Sequence, residues 1–184
     1  MKILHYSDCG DKNIVQLFNQ SDVLFTTGDL SIFDLNPLSE IISSKPAFGV
    51  YGNHCTPGYL KKFGIVNLHL KATKLDKYTI GGYQGCLKYK QNGNFQFTEE
   101  EAENDLANFP RVDILLLHAA PFGLLDTSTD PVHQGSKVVR KYVDRTKPKF
   151  IFCGHDSPSL EMDYQGTKIY RTHQTRLVDL NLYL

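Results

Sequence analysis

The chain has 184 residues, with 20 Lys+Arg against 20 Asp+Glu, so it carries no net charge when histidine is neutral. At roughly 150 residues per domain, this length predicts one domain over residues 1–184 with a single sizeable core. The charge balance excludes a basic face that would hold nucleic acid by charge alone, and 41% hydrophobic with 22% charged residues excludes a disordered chain.

The elements alternate from the start. Ile3–Tyr6 reads as a buried strand, and Met1–Asp8 turns polar too soon to form the apolar stretch of a secretion signal. A helical pattern over Asn13–Gln20 precedes a second strand at Val23–Thr26. Leu38–Ser44 follows Pro37 as a helix would, and Ala47–Tyr51 is the third strand. Tyr78–Ile80 reads as a further strand. Thr98 before Glu99-Glu100-Glu101 predicts a capped helix that stops near Pro110. Strand Val112–Leu117, helix Ser136–Thr146 and strand Phe150–Cys153 follow. The tail reads as strands Thr167–Tyr170 and Leu177–Leu182, with a turn at Gln165-Gly166. No run approaches the roughly 18 apolar residues that span a bilayer. The cysteines (Cys9, Cys55, Cys86, Cys153) lie far apart, which predicts reduced thiols and a cytoplasmic protein.

Alternation of this kind points to an α/β layered domain, whose chemistry gathers just past the carboxyl ends of the strands. The residues there share one chemistry. Successive strands end in Ser7-Asp8-Cys9-Gly10, Gly28-Asp29, Gly52-Asn53-His54, His118-Ala119-Ala120-Pro121 and Gly154-His155-Asp156. A single Asp after Gly is an ordinary turn residue. Carboxylates, an amide and imidazoles in register at the ends of successive strands instead suit a borderline divalent cation.

This order of motifs resembles the calcineurin-like metallophosphoesterases, which carry D-x-H, G-D, G-N-H-D/E, H and G-H-x-H. His118-Ala119-Ala120-Pro121-Phe122-Gly123 with Asp126 is most similar to the small phosphodiesterase-like branch. The resemblance implies a four-layer α-β-β-α sandwich of two mixed sheets, with the metals between them. It implies Asp8, Asp29, Asn53, His118 and His155 as metal ligands, with Asp29 bridging, and His54 as the acid that protonates the leaving oxygen. Two ligands of one implied site are missing: Gly10 stands in the first motif's His position and Ser157 in the last motif's second His position. Cys9, Asp156 and His173, with His5 beside them, are the candidates for substitute ligands. Cys55 replaces the acid that usually follows the G-N-H histidine, and Asp34 is a candidate to serve in its place, although a helix N-terminal acid is its simpler role.

The expected cofactor is one or two divalent cations (Mn, Fe, Zn, Ni or Co). The expected reaction is metal-assisted hydrolysis of a small phosphodiester or phosphomonoester. With no bulk charge to attract it, the substrate would be held by the metal together with Arg171 or Arg176. No membrane and no strong nucleic-acid partner is expected, and the oligomeric state stays open. The competing reading is a binding or regulatory protein on the same fold, because fold alone does not fix function. A weaker one is a redox-responsive site at Cys9 and Cys55.

Overall fold

The computed structural model describes residues 1–127 and 129–183. One sheet has the spatial order β13 (Gln174–Asp179), β1 (Lys2–Ser7), β2 (Val23–Thr26), β3 (Ala47–Gly49) and β4 (Val66–Asn67). Its pairs are parallel except β13 against β1. The other sheet runs β11 (Leu160–Tyr164), β12 (Thr167–Arg171), β10 (Phe150–Cys153), β9 (Ile114–Leu117), β6 (Tyr78–Tyr83) and β5 (Ala72–Leu75). Its two outer pairs are antiparallel and its inner pairs parallel. A two-stranded ribbon, β7 (Cys86–Leu87) with β8 (Gln96–Phe97), stands apart from both.

Side-chain alternation builds the layers. Ile3, Val23 and Phe25 pack with Ile114, Leu116, Phe150 and Phe152 in one cluster between the sheets. The intervening Leu4, Tyr6 and Leu24 turn the other way, onto α1 (Ile14–Asn19), α2 (Ile32–Leu35) and α3 (Tyr59–Lys62). On the second sheet Leu115, Leu117, Ile151 and Cys153 face α4 (Glu99–Ala107) and α5 (Lys137–Thr146). Strands covered on both faces read as continuous apolar runs, which is why they are visible in the sequence. The result is the expected four-layer α-β-β-α sandwich.

The helices start where their caps dictate. Thr98 Oγ1 accepts from Glu101 N at 3.1 Å while the Glu101 carboxylate accepts from Thr98 N at 2.7 Å. Glu99 reaches the next helix, accepting from Ser136 Oγ at 2.6 Å and Lys137 N at 2.8 Å, so the two outer helices are joined at their N-termini. The expected hairpin turn forms at Gln165-Gly166, both with positive φ (51° and 87°).

Two expected elements differ. Leu38–Ser44 is not one helix: the chain makes α2, then separate 3-10 turns at Asn36–Leu38 and Ile42–Ser44. Ser44 Oγ donates back to Ile41 O at 2.6 Å, the serine–backbone competition that weakens helices. The last strand begins at Gln174 rather than Leu177 and ends at Asp179, where Leu180–Tyr183 turns into a 3-10 segment. No helix among the described residues is long and apolar enough to cross a membrane.

Candidate metal centre

Each strand end delivers its residue to one edge of the sandwich. Asp8 follows β1, Asp29 follows β2, Asn53 and His54 lie beyond β3, His118 follows β9 and His155 follows β10. Asp8, Asp29 and His155 all sit in the left-handed region, with φ of 69°, 51° and 71°. Non-glycine residues rarely adopt it, and such strain clusters at functional sites. Close approach of the loops needs a residue without a side chain at position 52. A β-carbon on Gly52 would lie 2.2 Å from Asp29 Oδ1 and 2.6 Å from His118 Cε1.

The centre is organised around His118, which is fully buried. Its Nδ1 lies 2.7 Å from Thr27 O and, against a carbonyl, carries the proton. Its Nε2 then faces two oxygens, Asn53 Oδ1 at 2.9 Å and Asp29 Oδ2 at 3.3 Å. His155 is held likewise: Nε2 donates to Val132 O at 2.8 Å and leaves Nδ1 as the lone-pair nitrogen. Asp29, His118 and His155 each present a ligand atom, all within 4.8 Å of one another. Carbonyls that fix the outer ring nitrogen are the usual second layer around a metal-binding histidine.

The electrostatics match. Burial pulls the His118 imidazole down, but the Asp29 charge and hydrogen bond, with Asp8 behind, outweigh it and leave it above its ordinary value. Burial pushes the Asp29 carboxyl up, yet His118 and the His54 N–H bring it down to about 2. His155 falls to about 4 through burial and the neighbouring His118. A divalent cation fits that donor set of carboxylate, amide oxygen and imidazole nitrogen.

The remaining sequence-predicted residues separate. Asp8 turns its carboxylate to the backbone N–H of His155, at 3.0 Å and 3.2 Å, and lies outside the Asp29–His118–His155 group. His54 is exposed at the mouth, and its backbone N–H donates to Asp29 Oδ1 at 2.8 Å. Cys9 Sγ and His173 Nε2 stand 3.4 Å apart, so two of the substitute candidates meet each other. Asp156 is engaged elsewhere, accepting from Thr127 Oγ1 at 2.6 Å and Arg171 Nη1 at 2.8 Å. His5 lies in the layer between the sheets, 2.7 Å from Thr27 Oγ1 and edge-on to Phe152. A side chain at Gly10 would displace the Asp34 carboxylate, because a β-carbon there would lie 2.6 Å from Asp34 Oδ1.

The residues expected around the centre take other partners. Asp34 closes a capping box with Ser31 on α2, the helix N-terminal role that is its simpler reading. Arg171 is buried, with its guanidinium donating to Leu125 O, Pro158 O and Asp156. Arg176 pairs with Glu161 at 3.0 Å. Arg171, committed to those acceptors, is not free to hold substrate.

Cys55 Sγ accepts from Gly52 N and Asp29 N, both at 3.1 Å, and so ties the G-D loop to the G-N-H loop. Tyr89 was not visible in the sequence. Its hydroxyl accepts from Asn53 Nδ2 at 3.0 Å, which turns the amide oxygen toward His118. It lies in a Lys-Tyr-Lys stretch far from every motif, and nothing in the pattern distinguishes it.

Comparison with known proteins agrees on architecture. The protein TT1561 of Thermus thermophilus superposes with a TM-score of 0.70 at 15% identity, covering 100% of this chain and 96% of that one. An archaeal phosphodiesterase gives 0.59 at 11% identity, with 100% and 96% covered. Zinc-complexed Vps29 of Entamoeba histolytica gives 0.52 at 11% identity, with 98% and 87% covered. At these identities the likeness is one of fold. No curated protein sequence matches the chain. The calcineurin-like phosphoesterase family matches residues 1–158, a span that contains every motif residue around His118, and the chain belongs to that family.

Proposed function

We propose that this chain is a metal-dependent phosphoesterase acting on a small phosphodiester or phosphomonoester, built around one well-formed metal site. The observation that carries the reading is His118 Nε2 facing Asn53 Oδ1 and Asp29 Oδ2 while Nδ1 is committed to Thr27 O. Asp29, Asn53, His118 and His155 would hold the cation, and Asp8 would steady His155 from behind. A cation there supplies Lewis acidity toward a phosphoryl oxygen. Manganese is our first assignment, since oxygen and imidazole donors dominate the set.

His54 stands at the opening, fixed by its backbone bond to Asp29, with its ring free to meet the leaving oxygen. In hydrolysis the oxygen of water bonds to phosphorus and gives up its proton to solvent. The bond to the leaving oxygen breaks with its electron pair, and that oxygen takes a proton from His54. The substrate we assign is small, because Arg171 is not available to grip a polyanion. The four free cysteines support a reducing compartment such as the cytoplasm.

The test pairs the metal content of the purified protein with turnover of an aryl phosphodiester in Mn²⁺. Bound metal, with hydrolysis lost in Asn53→Ala and His54→Ala, is the expected result. No bound metal and no turnover across Mn, Ni, Co and Zn would remove the enzyme reading. A second reading, a cation-bearing binding protein, is favoured by the two family ligands missing at Gly10 and Ser157. Metal retained without turnover would select it.

A further inference from the structure

A cavity of about 310 Å³ opens directly beside His54 and Asp29. The start of α2 lines it, and there Ile32 and Phe33 are exposed to 37% and 83%. Ligand pockets begin at about 300 Å³, so this volume takes a group of roughly one ring system. A phenyl ring left almost wholly in water is the informative kind of apolar exposure, and here it borders the reacting edge of the fold.

The position of Phe33 is fixed, not incidental. Only Leu30, Ser31 and Ile32 separate it from Asp29. The reciprocal cap of Ser31 and Asp34 pins the first turn of α2, with Asp34 Oδ2 accepting from Ser31 N and Oγ at 2.7 Å each. The backbone that carries the ring is thus fixed four residues from Asp29. His54 and Tyr59 also line the cavity, and Asp29 and Asp34 make its lining acidic. Such a cavity offers a flat face for stacking and acceptors for donor groups, and it repels a second anion.

We propose that this cavity receives the leaving half of the substrate, an alcohol bearing an aromatic ring without further negative charge, laid against Phe33. The assignment rests on the phosphoesterase reading above, because His54 then protonates the oxygen of the group that fills the cavity. Phe33 is a specificity residue here and takes no part in bond breaking.

The experiment compares two phosphomonoesters of primary alcohols, adenosine 5′-monophosphate and glycerol 3-phosphate, by phosphate release in Mn²⁺. Their leaving oxygens are chemically similar and only one carries a ring. Phe33→Ala should lower kcat/KM for the nucleotide by about 5- to 30-fold, the scale of losing one aromatic stacking partner. It should leave glycerol 3-phosphate within about twofold, and Phe33→Tyr should restore the nucleotide rate. Phe33 is too exposed for these changes to disturb folding.

Binding of adenosine alone, followed by saturation-transfer NMR, gives a readout that needs no turnover and should weaken in Phe33→Ala. Equal effects on both esters, or equal turnover of adenosine 3′,5′-bisphosphate and the 5′-monophosphate, would overturn the pocket while leaving the phosphoesterase reading intact. Absence of phosphate release from both esters by the wild-type chain would overturn the pocket assignment, and the phosphoesterase reading falls with it only when the aryl phosphodiester is not hydrolysed either. A protein partner seated on Phe33 would appear as unchanged kinetics and unchanged adenosine binding in Phe33→Ala, and that result also overturns the proposal.

Discussion

The relation between Gly10 and Asp34 can be tested by putting a side chain back. A β-carbon at position 10 would lie 2.6 Å from Asp34 Oδ1, so the carboxylate must withdraw. Withdrawal gives up the two Oδ2 bonds from Ser31 and with them the reciprocal cap on α2. Loss of a helix cap costs about 0.5–2 kcal/mol. Gly10→His should therefore destabilise the chain by about 1–2 kcal/mol, and Asp34→Ala by about 1 kcal/mol. The double variant should be little worse than Asp34→Ala, a coupling of about 1 kcal/mol between touching residues. Urea unfolding of the metal-free protein reads this directly: at a slope of about 2 kcal/mol/M, Gly10→His lowers the midpoint by roughly 0.5–1 M. In the Asp34→Ala background the same substitution should move the midpoint by less than half as much. Equal penalties in both backgrounds would refute the reasoning, because Asp34 would then not be what fills the space. Adding Ser157→His to the double variant returns imidazoles to both positions the family uses, and a second equivalent of Mn²⁺ is expected by elemental analysis.

Three further outcomes follow from other contacts. Cys55→Ala leaves the N–H groups of Gly52 and Asp29 without their sulfur acceptor, which should destabilise by about 1–3 kcal/mol and weaken metal retention, whereas Cys55→Ser should keep most of both; equal loss in the two variants would contradict this. Burial, then the charge of Arg176, brings the His5 imidazole from 6.5 down to about 3. As pH falls below 6.5 the unfolded chain takes up that proton first, so stability present above 6.5 is lost progressively toward pH 3. His5→Leu should flatten this slope by up to about 1.4 kcal/mol per pH unit, read from urea midpoints with chelator present. Arg171→Met removes the guanidinium partner of the half-buried Asp156 and should lower stability by about 1–3 kcal/mol, while a double change with Asp156→Asn should recover part of it.

The strands that carry the site were legible because they are covered on both faces, so Ile3–Tyr6 or Phe150–Cys153 shows as an unbroken apolar run. The exposed antiparallel strands were not. Leu160–Tyr164 is half-exposed and mixes Glu161 and Asp163 with apolar residues, which leaves no run to see. The motif residues at the strand ends were legible because few residue types do that chemistry. What organises them was not: the carbonyls of Thr27 and Val132 carry no side-chain signature, and the hydroxyl of Tyr89 reaches Asn53 only through the folded chain. Phe33 was hidden because an exposed aromatic and a buried one look alike in a sequence.

The left-handed backbone of Asp8, Asp29 and His155 has a consequence for how such a centre can drift. Few residue types tolerate those turns, so a change at any of the three would disturb the loop as well as remove a donor. Gly10 and Ser157, where the family's ligands are missing, carry no positive φ. A substitution at Gly10 or Ser157 therefore meets no left-handed turn, while one at Asp29 or His155 removes a donor and strains the loop together. Within the proposed donor set Asp29 and His155 carry this double constraint, whereas Asn53 and His118 stand on ordinary backbone.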